Sequence, residues 1–376
     1  MEHYKTSKPF YIGQDVDVIL KGIEANGGFN DLDIATDKPI TIFKNGRLFH
    51  ITDRPLKNEE VREIVNHIAK DSSAYSAVTS GTEIDIAYTI LDDVGEFVLI
   101  RRYRMNMVPV RNKFGTEAVH ISCRSIKSDP PPLDNLNIEP ELLPHLVARQ
   151  GLGLVVGETG SGKSTLIASI IGNEVSMPGN YKKVLTAESP VEYIYDNIQH
   201  PDNLVFQQEV SDVGGDAKTF AGAVRNNLRR NPNIIVIGES RDLETIQAML
   251  RAASTGHMTY TTLHANSVSE AIRRTLNEFS ATEKEARLYE MMTIMRFVVV
   301  QYLAKTIDGG RVALRSFLVF TPEIRNVLRD CKPGDVVTTI DKYVESHGQT
   351  FIKAARIQFD KGVISEQEYK YVVTGI

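Results

Sequence analysis

Apolar residues follow two different rhythms in the two halves of this chain. Over residues 38–52, Ile40-Thr-Ile-Phe43 and Leu48-Phe-His-Ile51 flank Asn45-Gly46, a pattern that predicts a hairpin with a tight turn. Over residues 56–71, Val61, Ile64, Val65 and Ile68 recur at helical spacing. Three more strands are expected at 83–91, 95–106 and 118–126. A hairpin, a helix and further strands, with no parallel crossover among them, predict a small α+β domain over residues 1–126. The stretch Lys127-Ser-Asp-Pro-Pro-Pro-Leu-Asp-Asn then reads as a linker, placed at 127–138. Its three consecutive prolines exclude helix and stiffen the chain, giving a joint that moves without being floppy.

From residue 139 to 376 the rhythm changes. A short helix is expected at 139–149 and a strand at 152–156. Segments 183–187, 217–230, 233–237, 243–253, 258–263 and 267–277 then alternate between apolar strand and helix. That βα alternation predicts a parallel sheet with helices on both faces. Ser267-Val-Ser-Glu270 and Ser280-Ala-Thr-Glu283 match the capping box and place helix starts. Residues 296–305 and 311–320 form a further expected hairpin about Asp308-Gly-Gly310, and the remainder reads as helical, with Ser365-Glu-Gln-Glu368 capping the last segment.

Length agrees with this division, since 376 residues exceed a comfortable single core. A formal net charge of −5 argues against a non-specific nucleic-acid or anionic-membrane surface, so no direct nucleic-acid binding is expected. The apolar run 297–303, broken by Gln301, is far too short to span a bilayer. Met1-Glu-His-Tyr-Lys-Thr lacks an apolar signal core. A cytoplasmic protein with at most peripheral membrane association is therefore expected. Cys123 and Cys331 lie far apart with no partners at metal-ligand spacing, and read as reduced structural thiols.

The strongest chemical signal is Gly157-Glu-Thr-Gly-Ser-Gly-Lys163-Ser164-Thr165, which fits the Gly-x4-Gly-Lys-[Ser/Thr] phosphate loop at every required position. It follows an apolar strand and precedes a helix-compatible stretch, as such a loop must. Gly157, Glu158, Thr159, Gly160, Ser161, Gly162, Lys163, Ser164 and Thr165 are the expected nucleotide contacts. Glycines let successive N–H groups curl toward phosphate, and the helix N-terminus adds its positive dipole end. Lys163 supplies a point charge for the phosphates and Ser164 a hydroxyl for Mg2+. ATP and Mg2+ are the cofactors this loop calls for.

Three further segments supply acids, histidines and arginines. Leu185-Thr-Ala-Glu-Ser-Pro-Val-Glu-Tyr193 is a strand that breaks at Pro190 and presents Glu188 and Glu192 just past its end. Ligands of open parallel sheets sit beyond the carboxyl ends of strands, so one of these acids can orient or deprotonate water. The alternative for this segment alone is a pair of solvated loop carboxylates. Asn233-Ile-Ile-Val-Ile-Gly-Glu239-Ser-Arg-Asp242 is an apolar strand ending in an acid that would hold a water on Mg2+. Gly238 stands where many phosphate-loop enzymes carry a metal-binding Asp, which puts direct coordination in doubt. His257 and His264 bracket residues 258–263 without a carboxylate or cysteine at metal-ligand spacing. His264 can contact the γ-phosphate, or either can be a hydrogen-bonded structural histidine. Arg101, Arg102, Arg104, Arg111 and Arg124 in the first half, with Arg229 and Arg230 in the second, are exposed charge by default. The alternative is an arginine finger, placed on phosphates when a domain or subunit closes.

Together these segments resemble the ordered motifs of the secretion-superfamily hexameric ATPases (PilT/GspE type), over roughly residues 101–320. In that family's terms, 157–165 is the Walker A motif and Thr186-Ala-Glu-Ser-Pro-Val-Glu192 the Asp box. Val236-Ile-Gly-Glu-Ser-Arg-Asp242 is the Walker B motif, and Thr255-Gly-His257 through Leu263-His264 is the His box. The resemblance implies a PAS-like α+β N-terminal domain plus a RecA-like P-loop ATPase domain with a helical C-terminal part, assembled as a homohexameric ring. It further implies Glu192 as catalytic base with Glu188 supporting it, Glu239 as the Walker B acid with Ser164 on the metal, and His264 on phosphate. Arg101-Arg-Tyr-Arg-Met-Asn106 resembles the family's Arg-x-Arg-x-Asn strand, making Arg102 and Arg104 candidate fingers, with Arg111 and Arg124 behind them.

Departures choose within the family. Two lone cysteines exclude the four-cysteine zinc module common in assembly and type II motors, and the length leaves little room for their extra N-terminal domain. Retraction motors usually carry Glu-Asp-Pro in the Asp box and a terminal Ala-Ile-Arg-Asn-Leu-Ile motif. This chain has Glu188-Ser-Pro190 and no such ending. Arg230-Asn-Pro-Asn233 replaces the usual Arg-x-Asp-Pro-Asp without touching an expected catalytic group. The resemblance then narrows to the DotB/TraJ type of ATPase from type IVB (Dot/Icm) secretion and conjugation systems. This implies a cytoplasmic motor recruited to the inner face of the inner membrane, working with inner-membrane secretion-complex proteins and companion ATPases. Its nearest functional alternative is a type IV pilus retraction ATPase. A nucleic-acid translocase is disfavoured by the acidic balance and the lack of an aromatic-plus-basic stretch. A non-hydrolysing nucleotide scaffold is disfavoured by the intact acids Glu192 and Glu239.

Overall fold

The computed structural model describes residues 4–44, 47–94, 97–112, 115, 117–126 and 129–374. The Asn45-Gly46 turn, the Gly95 start of an expected strand and the Lys127-Ser128 start of the linker lie outside the described residues. The chain forms two compact units. One gathers Met1–Asp129, Glu188–Ile194 and Gln208–Thr219; the other gathers Pro130–Ala187, Tyr195–Gln207 and Phe220–Ile376.

The first unit is a mixed α+β layer. Its elements are α1 (Asp15–Ala25), β1 (Asp31–Ala35), β2 (Thr41–Lys44), β3 (Arg47–His50), α2 (Asn58–Ala69), α3 (Ala74–Thr79), β4 (Ile84–Val94), β5 (Phe97–Arg111) and β6 (Glu117–Ile126). The strands make a 6-stranded sheet in the order β3-β2-β1-β6-β5-β4, every pair antiparallel. Alternation builds the core: Leu32 and Ile34 of β1, Ile86, Tyr88 and Ile90 of β4, and Tyr103, Met105 and Met107 of β5 all point inward. Val16, Ile19, Leu20 and Ile23 of α1 and Val61, Ile64, Val65 and Ile68 of α2 close it at helical spacing. Each such aliphatic side chain contributes roughly 1.5–3 kcal/mol by leaving water. The Cys123 thiol lies fully buried in this core, and burial pushes its pKa well up.

One ion pair fixes the entry to α2. Glu60 is 0% exposed and accepts from Arg54 Nη2 at 2.6 Å and Nη1 at 2.9 Å, and from the amides of Tyr11 at 2.6 Å and Lys57 at 2.7 Å. Burial pushes the Glu60 carboxyl up, but these donors outweigh it and the net pKa is lowered.

The second unit holds β7 (Gly151–Val156), α4 (Lys163–Ser176), β8 (Lys183–Glu188), β9 (Leu204–Glu209), α5 (Phe220–Asn227), β10 (Ile234–Ile237), α6 (Leu243–Ser254), β11 (Met258–Leu263) and α7 (Val268–Asn277). After these come α8 (Lys284–Ile294), β12 (Met295–Lys305), β13 (Arg311–Val319), α9 (Pro322–Arg329), α10 (Val336–His347), α11 (Phe351–Asp360) and α12 (Glu366–Thr374). A 7-stranded sheet runs β13-β12-β7-β11-β10-β8-β9. Strands β12, β7, β11, β10 and β8 are mutually parallel, and β13 returns antiparallel to β12. β7, β10 and β11 are buried along their whole length, as strands covered by helices on both faces must be. This is a RecA-like α/β arrangement with a helical C-terminal part. The second thiol, Cys331, is half-buried just beyond α9. Among the described residues no helix is long and apolar enough to cross a membrane.

Some expectations are corrected. The helix over 139–149 is absent; its place is taken by turns and a 3-10 segment at Leu143–His145. Pro144 removes an amide from the middle of the segment and biases its predecessor away from helix. The helix over 217–230 shortens to α5 because Ala217 bridges Val210, its amide bonded to Glu209 O at 3.1 Å. At 280–283 the Ser280 hydroxyl and amide bind the Glu283 carboxylate, but α8 begins only at Lys284. The box at Ser267 does cap α7, its hydroxyl accepting from the Glu270 amide at 3.0 Å. α1, β1, α3 and β9 are additional elements.

Candidate functional site

The phosphate loop leaves the carboxyl end of β7 and runs straight into α4. Gly157, Gly160 and Gly162 have φ of +146°, +78° and +84°, a region that side chains disfavour. Gly162 is also the N-cap of α4 and supplies no side-chain cap, so the positive end of the helix dipole faces the loop, where an anion is favoured. Lys163 is buried with its Nζ donating to Gly157 O at 2.9 Å and Glu158 O at 2.8 Å, which folds the ammonium back over the loop. Glu158, Thr159, Gly160 and Ser164 are exposed, Thr165 half-buried and Ser161 buried.

The sheet order brings the other motifs of this unit beside the loop. β11 pairs with β7 up to Leu263 opposite Val156, and the Gly157 amide donates to Leu263 O at 3.4 Å. His264 therefore follows the strand next to the loop, and β10 on the far side of β11 ends at Ile237, two residues before Glu239. The two side chains meet: His264 Nε2 lies 3.2 Å from Glu239 Oε1, while Arg241 Nη2 lies 2.5 Å from Glu239 Oε2. Thr262 Oγ1 donates to Gly238 O at 2.6 Å and fixes the turn that carries the acid. Asp242, the last residue of that motif, caps α6 by accepting from the Thr245 amide at 2.8 Å. Such a cap is worth about 1 kcal/mol, so this acid has a structural task. His257 likewise sits against Thr255 Oγ1 and Ala252 O, each at 3.2 Å. Among the described residues no cluster of His, Cys, Asp and Glu could by itself hold a metal ion.

Glu188 ends β8, and the Glu188–Ile194 segment that carries Glu192 groups with the first unit. Its placement follows from β5. Strand alternation puts Arg102, Arg104 and Asn106 on the face opposite Tyr103 and Met105. Arg102 is only 4% exposed and clamps the segment's backbone, Nη2 donating to Val191 O at 2.5 Å and Nη1 to Glu192 O at 2.8 Å. From the other side Glu209 accepts the Val191 amide at 3.2 Å and the Ala87 amide at 2.9 Å. Burial lowers the Arg102 pKa and raises that of Glu209, the cost of holding the pair away from water. Arg104 binds Asp85, Nε to Oδ1 at 2.9 Å, and its Nη1 lies 3.7 Å from Glu192 Oε1. Arg124 is exposed and pairs with Asp31; Arg111 is exposed and donates to Gly115 O at 3.3 Å. Arg101 engages Glu24 and Asp92. Glu209 belongs to no motif, and nothing local in the sequence marks it.

A strand–loop–helix phosphate cradle on a parallel sheet, with an acid and a histidine on neighbouring strand ends, defines a RecA-like nucleotide-binding enzyme. The model of the Type II/IV secretion system protein family matches residues 58–371, and the chain belongs to that family of ATP hydrolases. It is 31% identical over 348 residues to the type IV pilus retractation ATPase PilT of Pseudomonas aeruginosa, covering 93% of this chain and 95% of that protein. The X-ray structure of the Legionella pneumophila ATPase DotB superposes with a TM-score of 0.92 at 36% identity, covering 100% of this chain and 99% of that one. The crystal structure of the pilus retraction motor PilT with bound ADP gives a TM-score of 0.77 at 26% identity, covering 96% and 97%. The chain is thus a motor ATPase of the secretion and pilus class.

Proposed function

We propose that this chain is a cytoplasmic ATPase ring that energises a type IVB secretion system, moving effector or conjugative substrates. The observation that carries this reading is the likeness to DotB along the whole chain, supported by Glu188-Ser-Pro190 in place of the retraction motors' Glu-Asp-Pro. In this reading Lys163 and the loop amides bind the phosphates of ATP. Glu192 takes the proton of the attacking water, with Glu188 close by in sequence to support it. Arg102, committed to two carbonyls, holds the Glu192 backbone, which leaves Arg104, Arg111 and Arg124 as candidates for stabilising charge on the transferred phosphoryl group. His264 bears on Glu239 and through it on the phosphate side of the site. The exposed Ser164 hydroxyl and the Glu239 carboxylate are hard oxygen donors suited to Mg2+, which when bound would neutralise phosphate charge. Six copies, recruited by inner-membrane secretion-complex proteins and companion ATPases, would make the working ring.

The experiment is complementation in two hosts. In a strain with an intact type IVB apparatus but no ATPase of its own for it, the chain should restore substrate transfer. In a strain lacking pilus retraction it should leave twitching absent. Restored twitching without restored transfer replaces the secretion reading with the retraction alternative, which the similarity to PilT supports.

A further inference from the structure

We infer that Gln301 and Arg315 are positioning residues for the phosphate loop, a buried pair that aims its backbone and ties it to residues 136–139. The register of the sheet places the first of them. β12 runs parallel to β7 with Val300 opposite Val156, so Gln301 comes to lie beside Gly157, where the loop begins. It is 4% exposed and meets the loop at three points. Its Nε2 donates to Ser161 O at 2.7 Å. A Cβ on Gly157 would come within 2.4 Å of the backbone carbonyl oxygen of Gln301, and a Cβ on Gly162 within 2.8 Å of Nε2. Gly162 therefore makes room for the glutamine's amide, and Gly157 for the backbone of β12.

The bond to Ser161 has a direction that matters. A trans peptide is planar, with its C=O and N–H pointing opposite ways. Holding Ser161 O toward β12 turns the next amide, that of Gly162, away from β12. Gly162 opens α4, so this is one of the amides the cradle needs.

Arg315 decides which way the glutamine faces. An amide end can be reversed, but a guanidinium offers only donors. Arg315 is the cross-strand partner of Gln301 on β13, and its Nε donates to Gln301 Oε1 at 2.9 Å. The oxygen must then face Arg315 and the Nε2 must face the loop. The other donors of Arg315 go to Leu136 O at 2.9 Å, Asn137 O at 3.2 Å and Glu139 Oε2 at 3.2 Å. Gln349 Nε2 reinforces Glu139 at 3.1 Å. Arg315 is 1% exposed among aliphatic and aromatic strand residues, where an apolar side chain would serve packing better. Its use is visible in what it holds.

Gln301→Glu is the discriminating change. It keeps size and strengthens the pairing with Arg315, so the fold is retained, but it sets an acceptor against Ser161 O. The expected result is that Mg2+ with a fluorescent ADP analogue binds about tenfold or more weakly, with no matching fall in the melting temperature of the ligand-free protein. Arg315→Lys keeps a cation for Glu139 but cannot make both the Gln301 bond and the carbonyl bonds. It should weaken the same binding while kcat at saturating ATP stays within about threefold. Wild-type affinity in Gln301→Glu overturns the inference, as does a loss of melting temperature with affinity intact in Arg315→Lys. A wild-type chain that fails to bind the analogue, or a Lys163→Ala variant that binds it normally, would instead overturn the nucleotide site itself.

Discussion

The phosphate loop and the Glu192 segment place reactive groups by contrasting means. Residues 157–165 carry much of their geometry locally, in positive-φ glycines and in a lysine that bonds the carbonyls of its own loop. Residues 188–194 are held by side chains distant in sequence: Arg102, 89 and 90 positions from the carbonyls it binds, and Glu209, 18 from the amide it accepts. Local coding suits a cradle that must exist whenever nucleotide arrives. Tertiary coding makes the position of Glu192 conditional on the state of another part of the chain. Binding and turnover should therefore be separable by mutation.

The largest effect expected is at Glu192. Glu192→Gln should leave nucleotide affinity intact and lower phosphate release about 10²–10⁴-fold. Unchanged turnover would mean the base lies elsewhere, and the contrast would lose one side. Arg102→Met leaves the Val191 and Glu192 carbonyls without their donors. It should lower kcat about tenfold, with affinity little changed. A fall in affinity instead of kcat would show that the two regions are not independent.

The smallest effect on turnover is expected at Glu60, which bears on the stability of the unit that carries the clamp. The Glu60 pKa is lowered in the folded state, so its stabilisation is complete above the usual glutamate value of about 4.3 and disappears as pH falls through the lowered one. In acid titrations followed by tyrosine absorbance, Glu60→Gln should flatten this acid-side loss. At neutral pH the same change should cost about 3 kcal/mol of stability in denaturant melts. Steep acid unfolding retained in the variant would assign the loss to other groups.

How much of this was legible depended on how local each cause was. The Walker A string is contiguous and its geometry follows from residue type. The βα rhythm likewise announced the parallel sheet, because fully buried strands are apolar throughout. Val16, Ile19, Leu20 and Ile23 of α1 carry the same helical period and are equally readable. β9 offered little to read, since it has no fully buried position to mark its period. Arg102 could be placed on a motif but its burial could not, because covering it requires a segment ninety residues downstream. Gln301 left a trace as the polar break in an apolar run, and Arg315 left another inside a strand of Leu, Phe and Val. Neither trace says what it is for until strand order puts β12 beside β7.

The two thiols described with the fold are unequally reachable, and this gives the protein a built-in attachment point. Cys123 is sealed in the first unit with a reluctant thiol, whereas Cys331 is half-open to solvent on the second. A maleimide dye would thus mark each copy once, at one known place, without any engineered substitution. A ring of such copies could be counted by its bleaching steps.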